Sequence, residues 1–285
     1  MSDSPDRALR AMTDDGAFRV IVATTTDTVA RTFAAQSPSG ATARHFGDLI
    51  TGTVLVRETM SPYHRVQGIL KGAGGKGSLV VDTHPDGATR GLVQPPKGGA
   101  HDWLGTGSVL QVMRTMATGR VYRGVVQPKA GADVSAALMT YLQDSEQVVA
   151  VIATGTVLEG ARVHAAGGFV VQLLPEAPRG SLMIMTERLE RFPAVTELLT
   201  TSAGSPRKLV EEILYGMPFT ALEERPIAFG CQCSQQAVVA SLATLGRAEL
   251  VDMLREREPI EVSCDDCHTT YPVGRVQLAG LLHES

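Results

Sequence analysis

The chain has 285 residues, 44 % of them hydrophobic and 20 % charged, with a formal net charge of −4. That composition belongs to a folded chain and excludes a disordered one, and a chain of this length buries about three quarters of its unfolded surface, enough for one large domain with an appendage or for two domains. The acidic balance supplies no clustered Lys and Arg footprint, so neither nucleic acid nor a membrane surface is expected as a partner.

The first stretch, "MSDSPDRALRAMTDDGAFRV", places acidic residues where a secretory signal needs basic ones and has no continuous apolar run. No later stretch reaches the roughly 18 apolar residues of a membrane span. A cytoplasmic protein is expected, and in that reducing compartment paired cysteines serve more often as metal ligands or redox groups than as structural disulfides.

Up to about residue 177 the sequence reads as a β-rich N-terminal domain. Short runs dominated by Val, Ile and Thr predict strands at 18–25, 53–57, 65–71, 77–83, 88–93, 108–114, 121–127, 147–157 and 167–174. Helices are predicted at 39–51 and at 133–144, where Asp133 is placed to cap the free amides. The string "GAGGKG", Gly72 to Gly77, satisfies G-x-G-x-x-G but lies between two strands with no helix after it, so it reads as a hairpin loop rather than a phosphate cradle. His101, Asp102 and Ser108 lack any nucleophile-elbow context, and the single Trp103 offers no stacking platform for single strands. No catalytic residue is assigned and no enzyme is expected.

Residues 178–226 change texture. Helical spacing is broken by Pro193, Pro206 and Pro218, with Ser205 as N-cap and Pro206 at the first helical position of a helix ending near Gly216. The segment reads as a helical linker whose apolar side chains should pack on the β domain.

Residues 227–285 form the third part and hold every cysteine: Cys231 and Cys233 in one pair, Cys264 and Cys267 in the other. Ser234 caps a helix closed by Gly246, a second helix follows over 247–258, "PIEVS" is strand-like, and "TYPVGRV" returns after the second pair. A unit of fewer than about 60 residues buries little apolar surface, so a metal or crosslink would stabilise it considerably. The whole is therefore α+β: a β-rich N-terminal domain with a few helices, a helical linker and a small C-terminal zinc-binding domain.

C-x-C and C-x-x-C about 30 residues apart supply four soft thiolates from two local hooks, which is what tetrahedral Zn²⁺ requires. Four ligands close the shell, leaving no position for substrate, so one zinc per chain would be structural or regulatory. A disulfide across C-x-C closes a tight ring, and strained disulfides are the labile, regulatory ones. A plain zinc staple without redox chemistry fits the spacing as well. Cys264 to His268 also spells C-x-x-C-H, the c-type haem attachment motif, but that reading needs an exported chain and leaves Cys231 and Cys233 without a role. His268 reads as an exposed turn residue rather than a substitute ligand.

The run "FGCQCSQQAVVASLATLGRAELVDMLREREPIEVSCDDCHTTY" resembles the 33 kDa heat shock proteins, redox-regulated bacterial holdase chaperones. "YLQDSEQVVAVIATG" (141–155), "AAGGFVVQLLPEA" (165–177), "GTGSVLQVMR" and "VYRGVVQ" resemble the N-terminal domain of the same family, so the likeness spans nearly the whole chain. It implies that the reduced protein holds zinc through the four cysteines and is largely inactive. It further implies that oxidation forms disulfides Cys231–Cys233 and Cys264–Cys267, releases the metal, melts the C-terminal domain and loosens the linker. The activated form would bind unfolded or partly folded client proteins without ATP, and would form a homodimer. An alternative of another class is a constitutive protein-binding module with a purely structural Zn(Cys)4 site. Where the family pattern has an aromatic residue before the last cysteine and a small one, often Gly, after it, this chain has Asp266 and His268. The acidic pair Asp265 and Asp266 should make nearby thiolates costlier to form, and the likeness implies a left-handed backbone at His268.

Overall fold

Between Arg65 and Lys71 burial alternates residue by residue, with Val66, Gly68 and Leu70 inward, as a strand with one buried face requires. The computed structural model describes residues 5–95, 102–175, 177–201, 204–255 and 260–284. In chain order the first elements are β1 (Arg7–Thr13), β2 (Phe18–Thr24), α1 (Thr26–Gln36), α2 (Gly40–Thr59), β3 (Arg65–Lys71), β4 (Ser78–Thr83) and β5 (Ala88–Gln94). Then come β6 (Val109–Thr115), β7 (Val121–Val126), α3 (Val134–Asp144), β8 (Ala150–Glu159) and β9 (Arg162–Leu173). Helices α4 (Arg179–Glu190), α5 (Val195–Thr201) and α6 (Pro206–Ile213) lead to β10 (Phe219–Pro226) and β11 (Ala228–Phe229). The chain divides into two units, Met1–Gly230 and Cys231–Ser285.

In the first unit one sheet has the order β10-β1-β2-β9-β8 and a second β11-β5-β4-β3-β6-β7. All ladders are antiparallel except the short parallel pair of β11 with β5. Helices α1, α2 and α3 each contact strands of both sheets, so the main core lies around Phe46, Leu49, Ile50 and Leu55 of α2. The other face of the β10-to-β8 sheet is covered by the helices after β9. Met185, Leu198, Leu209 and Ile213 pack there on Leu9, Phe18, Val20 and Val171, as the apolar content of 178–226 requires.

Several local devices read from the sequence are present. The Asp133 carboxylate accepts the amide of Ala136 at 2.7 Å, capping α3, and Ser205 accepts the amide of Lys208 with Pro206 opening α6. Gly72 to Gly77 form a tight turn joining the antiparallel β3 and β4. Ser108 is fully buried, and Trp103 is buried with its indole N–H donating to Thr42 Oγ1 at 2.9 Å. His101 lies outside the described residues.

Two expectations are corrected. Residues 53–57 are not a strand but the C-terminal part of α2, which is buried from Leu49 to Glu58 without a break. A helix packed on both sides has no polar face to give a 3.6-residue pattern, and burial outweighs the few tenths of a kcal/mol by which Thr and Val disfavour helix. The end of the 178–226 segment is likewise not helical: Phe219–Pro226 forms β10, an edge strand paired with β1 from Arg7↔Pro226 to Thr13↔Phe219. The local helix preference of Leu222-Glu223-Glu224-Arg225 yields there to a ladder of backbone hydrogen bonds. Strand β1 and helix α1 carried no expectation at all.

Candidate metal centre

The second unit is built from α7 (Gln235–Leu242), α8 (Arg247–Arg255), the antiparallel hairpin β12 (Ile260–Ser263) and β13 (Thr270–Val273), and α9 (Arg275–Glu284). Its described core is small: Leu242, Leu250, Val273, Leu278 and Leu281, with Val239, Leu245 and Met253 against them. Such a core is too small to hold the unit comfortably by burial alone.

Two hooks present the sulfurs. Cys231 and Cys233 lead into α7, whose first turn is fixed by Ser234 accepting the amide of Ala237 at 3.2 Å. Cys264 and Cys267 sit on the tip of the β12–β13 hairpin. There the amide of Cys264 donates to Thr269 O at 2.9 Å and the amide of His268 donates to Cys264 O at 2.8 Å. That turn requires φ of 57° at His268, the left-handed angle that the resemblance implied. His268 itself is exposed and stands outside the sulfur cluster.

The four Sγ atoms lie within 4.8 Å of one another, each partly buried. Cys231 Sγ is 3.7 Å from Cys264 Sγ, and Cys233 Sγ is 3.4 Å from Cys267 Sγ. Four sulfurs at about 2.3 Å from a central ion form a tetrahedron with edges of about 3.8 Å, so this donor set fits a tetrahedral thiolate-loving ion with little rearrangement. Without a cation the sulfurs oppose one another's ionisation. Burial pushes the Cys264 thiol up to about 12, against the amides of Cys267 and Asp266, which donate to its sulfur. Burial also raises Cys233, against its contact with Tyr271. At Cys267 burial again raises the thiol, but hydrogen bonds with Thr269 and with the sulfurs of Cys233 and Cys231 together outweigh it and bring the group to about 7. The backbone of Asp266 therefore works against the cost that its carboxylate was expected to impose.

Two residues that the sequence did not single out touch the sulfurs. Thr269 Oγ1 is 3.2 Å from Cys267 Sγ, and Tyr271 Oη is 3.1 Å from Cys233 Sγ and 3.2 Å from Cys233 O. The hydrogen bond to Cys233 raises the Tyr271 phenol to about 12. The available signal was positional: Thr269 and Tyr271 follow the last cysteine by two and four residues, where the returning strand of a hairpin passes its own tip.

The chain is thus of mixed α+β class, with two sheets in its first unit and, in its second, four cysteines placed to hold a metal ion through sulfur alone. The family model described as Hsp33 protein matches residues 6–273. The 33 kDa chaperonin of Syntrophotalea carbinolica is 33 % identical over 287 residues, covering 97 % of this chain and 99 % of the relative. That of Synechococcus sp. (strain JA-3-3Ab) is 30 % identical, covering 99 % and 92 %. A crystal structure of the 33 kDa chaperonin (heat shock protein 33 homolog) of Thermotoga maritima superposes with a TM-score of 0.84 at 22 % identity, covering 99 % of both chains, and so shares the fold. The chain belongs to the Hsp33 family. No helix among the described residues is long and apolar enough to cross a membrane.

Proposed function

We propose that this chain is a cytoplasmic, redox-switched holdase that binds unfolding proteins without ATP and catalyses no reaction. In the reduced state Cys231, Cys233, Cys264 and Cys267 hold one Zn²⁺; under oxidative stress they form the disulfides Cys231–Cys233 and Cys264–Cys267, and the active form dimerises. The observation that carries this reading is the convergence of four sulfurs within 4.8 Å in a member of a chaperone family.

When bound, zinc neutralises the thiolates and crosslinks the two hooks, a contribution of roughly 10–16 kcal/mol in small zinc units. The thiolate, not the thiol, attacks oxidants. One thiolate of a pair attacks a hydroperoxide oxygen, becomes a sulfenic acid and releases water. Its neighbour displaces the second oxygen as water and closes the disulfide. Each disulfide thus consumes one peroxide and two protons, and two peroxides consume all four ligands. Nothing then holds the ion, and the unit is left with its small core of Leu242, Leu250, Val273, Leu278 and Leu281. Melting exposes these side chains and loosens the segment 178–226, where Met183 is 73 % and Ile184 52 % exposed already; such apolar surface captures unfolding chains.

The test is light scattering from a thermally unfolding client in the presence of the reduced, zinc-loaded protein or the peroxide-treated protein. Suppression by the oxidised form alone is the expected result. Equal activity of both forms would leave a constitutive binding module with a zinc staple, and equal inactivity would remove the holdase reading.

A further inference from the structure

The two cysteine hooks come from segments more than thirty residues apart in sequence, and the polar contacts between them are specific. Gln235 Nε2, in the first turn of α7, donates to Pro272 O at 2.9 Å. Next to it Tyr271 Oη reaches both the sulfur and the carbonyl oxygen of Cys233, at 3.1 and 3.2 Å. A phenol has one proton to give. While Cys233 is a metal-bound thiolate, its sulfur and its carbonyl are both acceptors, and the charged sulfur attracts the proton more strongly because charge-assisted hydrogen bonds are the stronger kind. A disulfide sulfur carries no such charge. Oxidation therefore leaves the carbonyl as the better acceptor, and the phenol can turn to it without moving its ring.

A hydrogen bond to a thiolate withdraws charge from the nucleophile. Oxidant attack requires that charge, so a donor aimed at Cys233 slows the first step at this sulfur while strengthening the reduced arrangement. Building on the redox-switch reading, we infer that Tyr271 is a positioning residue that restrains Cys233 and thereby sets how readily the C-x-C hook is oxidised. It acts through Cys233 and is itself not oxidised. Thr269 stands in the corresponding place beside Cys267 and serves as the control on the other hook.

The experiment compares the full-length wild type, Tyr271→Phe, a variant with 3-fluorotyrosine at position 271, and Thr269→Val. All are loaded with zinc under reducing conditions and exposed to a fixed hydrogen peroxide concentration at neutral pH. Zinc release is followed with a chromogenic chelator, and dimedone labelling with peptide mass spectrometry locates the first sulfenic acid. Tyr271→Phe should release zinc about three- to tenfold faster, the effect of losing one modest hydrogen bond to a charged group, with labelling shifted toward Cys233. The fluorinated phenol, a stronger donor, should release it more slowly than wild type, an order that a packing role of the ring would not produce. Thr269→Val should shift labelling toward Cys267 instead. If Tyr271→Phe does not hold zinc when reduced, the fluorotyrosine comparison decides alone, because it preserves the ring and the hydroxyl. Equal release rates for the tyrosine and fluorotyrosine proteins, with wild type releasing zinc normally, would overturn the role of Tyr271 and leave the switch standing. A wild type that keeps its zinc under peroxide would overturn the switch and this inference together.

Discussion

Cys233 Sγ lies 3.4 Å from Cys267 Sγ and Cys231 Sγ 3.7 Å from Cys264 Sγ, so close sulfur contacts run across the two hooks. In a tetrahedral four-thiolate site all six sulfur pairs are near neighbours, and closeness in the reduced state does not choose the disulfides. Chain connectivity does: once the metal leaves, closing C-x-C or C-x-x-C confines far fewer residues than closing a loop of about 30, at lower entropy cost. Peptide mapping after peroxide treatment should find Cys231–Cys233 and Cys264–Cys267. A dominant Cys233–Cys267 crosslink would show that the unit stays folded while it is oxidised.

Removing any single ligand should free the unit without oxidant. If about 10–16 kcal/mol is spread over four ligands, losing one costs about 3 kcal/mol, or more than a hundredfold in zinc affinity. Cys231→Ser should therefore copurify with little zinc and suppress client aggregation even when reduced. Full zinc content in that variant would place the fourth ligand elsewhere.

His268 pays a conformational cost that glycine would not. At φ of 57° a residue with a Cβ is strained by about 1 kcal/mol relative to Gly. His268→Gly should tighten zinc binding by about three- to fivefold in a chelator competition at neutral pH, and correspondingly raise the oxidant dose needed for release. His268→Val, with a β-branched side chain at the same angle, should do the opposite.

The first unit has its own pH dependence. Asp48 on α2 accepts the Thr156 hydroxyl at 2.8 Å. Burial raises its carboxyl to about 6, with Asp133 adding to the rise and Arg44 opposing it. Because the folded state holds this proton more tightly than the unfolded state, stability is greatest below about pH 4 as far as this group is concerned, and falls as pH rises through about 6. Asp48→Asn keeps the acceptor and removes the charge. It should raise the unfolding free energy of the first unit at pH 7.5 by about 1–2 kcal/mol and change it little below about pH 4. Parallel pH profiles for the two proteins would contradict this.

How much of this could be read in the sequence varies with the physics. Strands such as 65–71 and the caps at Asp133, Ser205 and Ser234 were legible because alternation and capping are local properties. Helix α2 was cut short because Thr53, Val54 and Val56 look like a strand when the surface that buries them is contributed by two distant sheets. Strand β10 was hidden for the complementary reason: Leu222-Glu223-Glu224-Arg225 has a helical composition, and only the open edge of β1, more than 200 residues earlier, makes it extended. The sulfur cluster was legible as spacing. Its contacts with Thr269 and Tyr271 were not, since they depend on the hairpin that brings the returning strand past the cysteines.

The coupling of sulfur chemistry to the folded state of residues 231–285 is most directly tested by amide hydrogen exchange on the reduced, zinc-loaded chain and on the same sample after peroxide. Amides of 235–242 and 247–255 should lose protection in step with zinc release, while those of the strands within 7–173 keep theirs. Retained protection in the 235–255 helices after all four cysteines are oxidised would contradict the account, since the disulfides would then hold the unit as well as the metal does.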